Sequence, residues 1–141
     1  MQDDKARIGA TGASFGAFFA ANAFFRRPDL FDTLVGMNGF YDLQPLAGGY
    51  WDDDLYFNNP MSFVPSLSDP ASLDLIRRQG QIHLLTSEGM WEDPERTYRF
   101  SRRLRECGFQ HNLDVWGRDM PHDWPTWRQM LPHYVGSKLG W

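Results

Sequence analysis

A serine between two glycines, in the segment GASFG at residues 12–16, constrains the fold of this 141-residue chain more than any other feature. The mostly apolar run at 7–11 predicts a buried strand before it, and the alanine- and phenylalanine-rich run at 15–25 predicts a helix after it. A serine at such a junction occupies a sharp, strained turn, and the glycines on both sides remove Cβ atoms that would clash. Ser14 is therefore predicted to present its hydroxyl at the carboxyl edge of a sheet.

The rest of the chain alternates between the patterns of strands and helices. Further strands are predicted at 33–39, 81–86 and 112–116, a helix from Pro94 to the glycine stop at Gly108, and a last helix broken near Pro132. Such alternation predicts an α/β fold, in which a parallel sheet is flanked by helices and joined by right-handed crossovers.

Residues 39–80 have a different texture, rich in proline, glycine and asparagine. We predict that they are irregular, with one short helix near 72–78. The acidic triplet at 52–54 lacks the alternating ligand spacing of a calcium loop and is interpreted as solvated. Because a long irregular segment inside a compact domain is usually functional, we interpret 39–80 as a lid-like excursion within a single domain of residues 1–141.

Composition limits the classes of partner. The net charge of −4, from 18 acidic and 14 basic residues, does not favour a nucleic-acid-binding surface. No apolar run approaches the ~18 residues of a membrane span, and the first residues lack the apolar core of a signal peptide. The single cysteine, Cys107, can form no internal disulfide. We therefore expect a soluble, cytoplasmic protein.

A serine hydroxyl is a weak nucleophile and needs a base, for which the chain offers four histidines. His83 lies inside a predicted strand, which favours a structural role, whereas His111 opens a strand and His133 lies on the last helix. His122 lies in the loop after the last strand, where catalytic groups gather in open α/β sheets. His122 is therefore the predicted base. The backbone N–H of Phe15, at the start of the first helix, is predicted to stabilise an oxyanion.

A carboxylate should orient this histidine, and the loop after the preceding strand, at 87–95, holds four acidic residues. Glu95 falls in the first turn of the following helix, and Glu88 lies close to the strand end. Glu92 and Asp93 remain as the two alternatives, of which Glu92 is preferred. One of them is expected to cap the helix instead.

The segments GASFG, YFNNP, WEDP and HDWPTWRQMLPHY together resemble the α/β-hydrolase superfamily, in its esterase D-like and feruloyl esterase-like branch. The resemblance covers nearly the whole chain. It implies hydrolysis of a small-molecule carboxylic ester through an acyl-enzyme, with Ser14 as nucleophile and His122 as base. It implies no metal and no organic cofactor.

The chain departs from this family in length. The serine turn comes near its start, so the chain resembles only the carboxyl-terminal strands 5–8 of that fold and their helices. The strand at 7–11 would then expose an apolar edge for a partner chain or a second copy to cover. A second oxyanion donor would also be missing, which costs roughly 2.7–4 kcal/mol of transition-state stabilisation. One alternative is therefore a weak or inactive hydrolase fragment that acts through a partner. The other is a binding module in which Ser14 is only a turn residue.

Overall fold

The computed structural model describes residues 6–141 and contains a four-stranded parallel sheet of order β1-β2-β3-β4. The strands are β1 (Gly9–Ala13), β2 (Thr33–Met37), β3 (Gln81–Ser87) and β4 (Asn112–Trp116). This confirms the predicted α/β class, and the strand bounds differ from the predicted ones by at most two residues. The amino-terminal residues 1–5, part of the stretch in which no signal segment is predicted, lie outside the described range.

Six α-helices of the described residues connect or follow the strands. They are α1 (Phe15–Arg26), α2 (Asp53–Asn58), α3 (Pro60–Phe63), α4 (Pro70–Gln79), α5 (Pro94–Glu106) and α6 (Trp124–Pro132). After α6 the chain continues as a π-helical turn over His133–Lys138, so the predicted break at Pro132 is a change of helix type. Between residues 6 and 141, no helix has the length and apolar character needed to cross a membrane.

The prediction that 39–80 is mostly irregular is wrong. The segment contains α2, α3 and α4, with 3-10 turns at Gln44–Leu46 and Val64–Ser66. The side chains of Asp52 and Asp69 accept hydrogen bonds from backbone N–H groups in the first turns of α2 and α4. Pro60 and Pro70 occupy the first positions of α3 and α4, where the missing N–H costs nothing. The residues that suggested loops are therefore those that start the helices.

Apolar side chains pack on both faces of the sheet, because successive strand residues point to opposite sides. One core layer includes Phe24, Phe25, Leu34, Leu84, Phe100 and Leu104. The other includes Val35, Met37, Leu85, Met130 and Tyr134. The alternation of Leu34 with Val35, and of Leu84 with Leu85, shows how the two central strands contribute to both layers. This double covering anchors the carboxyl ends of the strands, where the loops begin.

Strand β1 lies at the end of the sheet and pairs, among the described strands, with β2 alone. Three large apolar side chains nearby in sequence are exposed, namely those of Ile8, Phe15 and Phe19. The ring of Trp141 lies against Gly9 and beneath the guanidinium of Arg7. The carboxyl terminus therefore packs beside the start of β1.

His83, on β3, is a structural histidine whose polar atoms are not satisfied. Its ring lies 5.4 Å from the ring of Tyr134, centroid to centroid. Both ring nitrogens are buried and have no hydrogen-bond partner among the described residues. Burial lowers the pKa of His83, because the charged imidazolium would lose its hydration.

This burial predicts a pH-dependent stability. The unfolded chain binds a proton at the ordinary histidine pKa of about 6.5, whereas folded His83 binds it only at lower pH. We therefore expect the free energy of unfolding to fall as the pH drops from about 7 to about 5, and to fall less steeply in His83→Leu. Urea unfolding across this pH range measures the difference. Equal pH dependence in both proteins would contradict the prediction.

Candidate active site

Ser14 lies in the turn between β1 and α1, in a conformation that residues with a Cβ atom rarely adopt. Its φ is 57° and its ψ is −120°. Its backbone N–H donates to the Met37 carbonyl at 3.0 Å. Its own carbonyl accepts from the N–H groups of Ala17 at 3.1 Å and Phe40 at 3.2 Å. Three hydrogen bonds therefore hold the strained residue and fix the direction in which its side chain leaves the turn.

The two glycines that flank Ser14 have different roles. A Cβ atom on Gly12 would overlap the backbone of Gly16, so no other residue fits at position 12 without moving the helix. A Cβ atom on Gly16 would have no described heavy atom within 4 Å outside its own helix and chain neighbours. The prediction that both glycines remove a clash is correct for Gly12 and wrong for Gly16 in the described part of the chain.

His122 connects Ser14 to a carboxylate. Its Nε2 lies 3.0 Å from Ser14 Oγ, and its Nδ1 lies 3.0 Å from Glu92 Oε1. In the neutral tautomer whose Nδ1–H donates to the carboxylate, Nε2 is an acceptor and lies within hydrogen-bond distance of the Ser14 hydroxyl. The side chain of His122 is 20% exposed, so the imidazole is sheltered yet reachable. The ring of Trp127, on α6, packs against the imidazole in a T-shaped arrangement, with the two centroids 5.3 Å apart.

Glu92 is a buried and fully paired carboxylate. Its side chain is 2% exposed. Besides the imidazole, Oε1 accepts from the backbone N–H of Asp93 at 3.0 Å, and Oε2 accepts from Thr86 Oγ1 at 2.7 Å. A buried carboxylate needs such partners, and together they fix its orientation toward His122. The hydroxyl of Thr86 is a contact that the sequence analysis missed, since a threonine within an apolar strand carries no distinctive signal.

Asp93, the other acid predicted to orient His122, does not bond to the imidazole, so this alternative is wrong. Its Oδ1 accepts from the backbone N–H of Glu95 at 3.2 Å and so caps α5. More than half of its side chain is exposed, and its other oxygen lies 3.7 Å from Arg96. Glu95 pairs with Arg102, and Glu88 lies 3.7 Å from Arg118. Of the four acids in this loop, Glu92 is the one that reaches the imidazole.

The loops after β3 and β4 are joined by backbone hydrogen bonds. The N–H of His122 donates to the Met90 carbonyl at 2.8 Å, and that of Gly89 donates to the Met120 carbonyl at 3.1 Å. Gly89 lies so close to the backbone of Met120 that a Cβ atom would not fit. Trp91 has a φ of 67°, which is strained for a bulky residue, and its side chain is exposed. This strained turn directs the next side chain, that of Glu92, into the site.

Phe15, the predicted source of an oxyanion donor, is the first residue of α1. An N–H group at the first position of a helix has no acceptor within the helix and can donate to a ligand. The ring of Phe15 lies 4.9 Å from that of Phe40, whose N–H holds the Ser14 carbonyl. The donor role of Phe15 remains a prediction.

Tyr41 lies beneath the site. Its side chain is fully buried, and its hydroxyl has no hydrogen-bond partner among the described residues. Burial, and after it the negative charge of Glu92, raises the pKa of Tyr41, so the phenol stays neutral. Its ring stacks on Phe100 at 4.3 Å.

Solved structures with a similar fold include esterases, a fluorophosphonate-binding serine hydrolase and peptidases. A ferulic acid esterase has a TM-score of 0.66 at 21% identity, over 86% of this chain and 46% of its own. S-formylglutathione hydrolase FrmB from Staphylococcus aureus has a TM-score of 0.68 at 12% identity, over 89% and 51%. MPT51 (FbpC1) from Mycobacterium tuberculosis has a TM-score of 0.66 at 17% identity, over 94% and 59%.

The sequence by itself matches no protein-family model and no curated protein. The likeness therefore concerns the fold, and it confirms the resemblance to the α/β-hydrolases that the motifs predicted. The chain spans about half the length of the ferulic acid esterase and of FrmB. It has four parallel strands with flanking helices, and this arrangement corresponds to part of the α/β-hydrolase fold of those proteins.

Proposed function

We propose that this chain is a serine hydrolase that cleaves carboxylic esters through an acyl-enzyme. The observation that supports the proposal is the unbroken chain of contacts from Ser14 Oγ to His122 to the buried carboxylate of Glu92, each at 3.0 Å. A hydroxyl, an imidazole and a carboxylate in this order are the groups of a nucleophile activated by an oriented base.

In the acylation step, Ser14 Oγ attacks the carbonyl carbon of the ester while His122 Nε2 takes its proton. Glu92 stabilises the imidazolium that forms and keeps Nδ1 protonated. The N–H of Phe15 donates to the carbonyl oxygen as that oxygen becomes negative. The imidazolium then gives its proton to the alcohol oxygen, and the bond between carbon and that oxygen breaks.

In the deacylation step, His122 takes a proton from water, and the hydroxide oxygen attacks the acyl carbon. The bond from that carbon to Ser14 Oγ breaks, and the proton returns to the serine. A carboxylic acid leaves. The three side chains supply the nucleophile and the base, so the proposal includes no metal and no organic cofactor.

The Phe15 N–H is the one oxyanion donor that we assign. Among the described strands β1 pairs with β2 alone, so a second copy or a partner chain could pair with its other side and supply another donor.

The proposal is tested with a fluorophosphonate probe, which bonds covalently to an activated serine. We expect labelling of the wild type and of Ser68→Ala, an exposed serine remote from the site in sequence. We expect no labelling of Ser14→Ala, and a loss of 4-nitrophenyl acetate turnover of at least about 1000-fold. Equal labelling of Ser14→Ala and the wild type, or none of the wild type, would overturn the proposal.

A further inference from the structure

A cavity of about 170 Å³ adjoins the proposed catalytic groups. Two of its lining residues donate backbone hydrogen bonds to Ser14 and to Glu92. The backbone N–H of Phe40 donates to the Ser14 carbonyl at 3.2 Å, and that of Asp93 donates to Glu92 Oε1 at 3.0 Å. Part of a substrate bound at Ser14 could therefore extend into this cavity.

The two acidic residues that line the cavity have partners within the protein. Asp42 Oδ1 accepts from the backbone N–H of Gln44 at 3.0 Å and from Asn59 Nδ2 at 2.9 Å. Asp93 Oδ1 accepts from the N–H of Glu95 at 3.2 Å, as the cap of α5. In each case Oδ1 holds a wall of the cavity, whereas no described residue hydrogen-bonds to Oδ2 of either side chain.

The two arginines that line it, Arg96 and Arg99, are only loosely paired. The nearest carboxylate oxygens lie 3.7 Å from Arg96, on Asp93, and 4.0 Å from Arg99, on Glu95. Neither guanidinium donates a hydrogen bond to any described residue at ordinary length, in contrast to Arg78, which donates to its carboxylate at 2.6 Å. The cavity therefore offers guanidinium donors that no carboxylate of the described residues occupies at hydrogen-bond distance.

The position of these arginines also favours an anion. They lie three residues apart on one side of α5, near its amino-terminal end. The helix dipole is positive at this end. It therefore disfavours cations there and adds to the positive potential that an anion would meet. The guanidinium of Arg96 lies 5.0 Å above the ring of Phe40, itself a wall of the cavity.

We propose that this cavity binds a carboxylate carried by the ester substrate, with Arg96 and Arg99 as its counter-ions. The preferred substrates are then half-esters of dicarboxylic acids, whose methylene chain would contact the apolar lining residues Leu46 and Met61. This inference rests on the proposed ester hydrolysis and names the substrate class for the same site.

The experiment compares matched ester pairs. The 4-nitrophenyl half-esters of dicarboxylic acids from glutaric to suberic are measured against the same compounds with the free carboxyl group methylated. We expect wild type to prefer a half-ester, mainly through KM. Arg96→Gln and Arg99→Gln should each lower kcat/KM for that half-ester about tenfold or more, because a charge-assisted hydrogen bond is lost, and leave the methylated ester within about twofold.

Arg105→Gln is the matched control, since it removes the same charge from an exposed position on the same helix outside the cavity lining. Its kinetics should equal those of the wild type for both ester types. Equal use of both esters by the wild type, or an equal loss for both in Arg96→Gln, would overturn the carboxylate site.

Binding of adipate separates this inference from the ester hydrolysis on which it rests. Saturation-transfer NMR detects adipate on the protein without any turnover. If adipate binds to the wild type and not to Arg96→Gln, the carboxylate site is supported even when no ester is cleaved. In that case only the proposed ester hydrolysis has failed. An absence of binding to the wild type would overturn the carboxylate site even if neutral esters are cleaved.

Discussion

Glu92→Gln is expected to lower kcat for ester hydrolysis by roughly three to four orders of magnitude. A glutamine cannot stabilise the imidazolium of His122, and its amide can donate to Nδ1 and so stabilise the wrong tautomer. In serine proteases the corresponding exchange of acid for amide has an effect of about this size. The measurement is steady-state hydrolysis of 4-nitrophenyl acetate, with circular dichroism to establish that the variant is folded.

The neighbouring acid provides the control. Asp93→Asn makes the same chemical change one residue away, on a side chain that caps α5 instead of facing the imidazole. Because asparagine caps a helix about as well as aspartate, we expect little change in either kcat or stability. A similar loss of activity in both variants would mean that Glu92 is not the orienting acid.

Gly12→Ala is expected to lower the free energy of unfolding by about 3 kcal/mol or more. The new Cβ atom would overlap the Gly16 backbone, which cannot rotate away as a side chain does, so β1 and α1 would have to separate. The turn that carries Ser14 would move with them. Fluorophosphonate labelling should therefore fall even in the fraction that stays folded.

Gly16→Ala is the matched substitution at the other glycine. The new methyl group meets no described atom within 4 Å beyond its own helix and neighbours, and alanine favours the first turn of α1. We expect stability that is unchanged or higher by up to about 1 kcal/mol. Urea unfolding of both variants measures the contrast, and equal destabilisation would contradict the steric explanation.

The strands and the main contact of the site could be predicted from the sequence because both follow from local rules. Short apolar runs mark the first three strands, and the alternation of polar and apolar residues at 112–116 marks the fourth. The carboxyl ends of parallel strands share one edge of the sheet, so the loops that hold Ser14 and His122 must open at that edge. Neither residue needed a long-range contact to be singled out.

The choice between Glu92 and Asp93 could not be made in this way, since adjacent residues in a loop share every local signal. The preceding turn decides which of the two acids faces His122, because Trp91 adopts a left-handed conformation there. No residue preference would have predicted that conformation for tryptophan. The helices within 39–80 were missed for a related reason, because aspartate and proline start helices as readily as they form turns.

The contact between Ser14 and His122 joins residues 108 positions apart. Three strands, β2, β3 and β4, lie between them in the sequence, and a contact of such long range is among the slowest to become established in folding. On the ribosome, Ser14 would emerge before His122 and remain inert until the loop that carries His122 has been synthesised. Reactivity toward the probe would thus report the completion of folding, later than any spectroscopic signal from the helices alone.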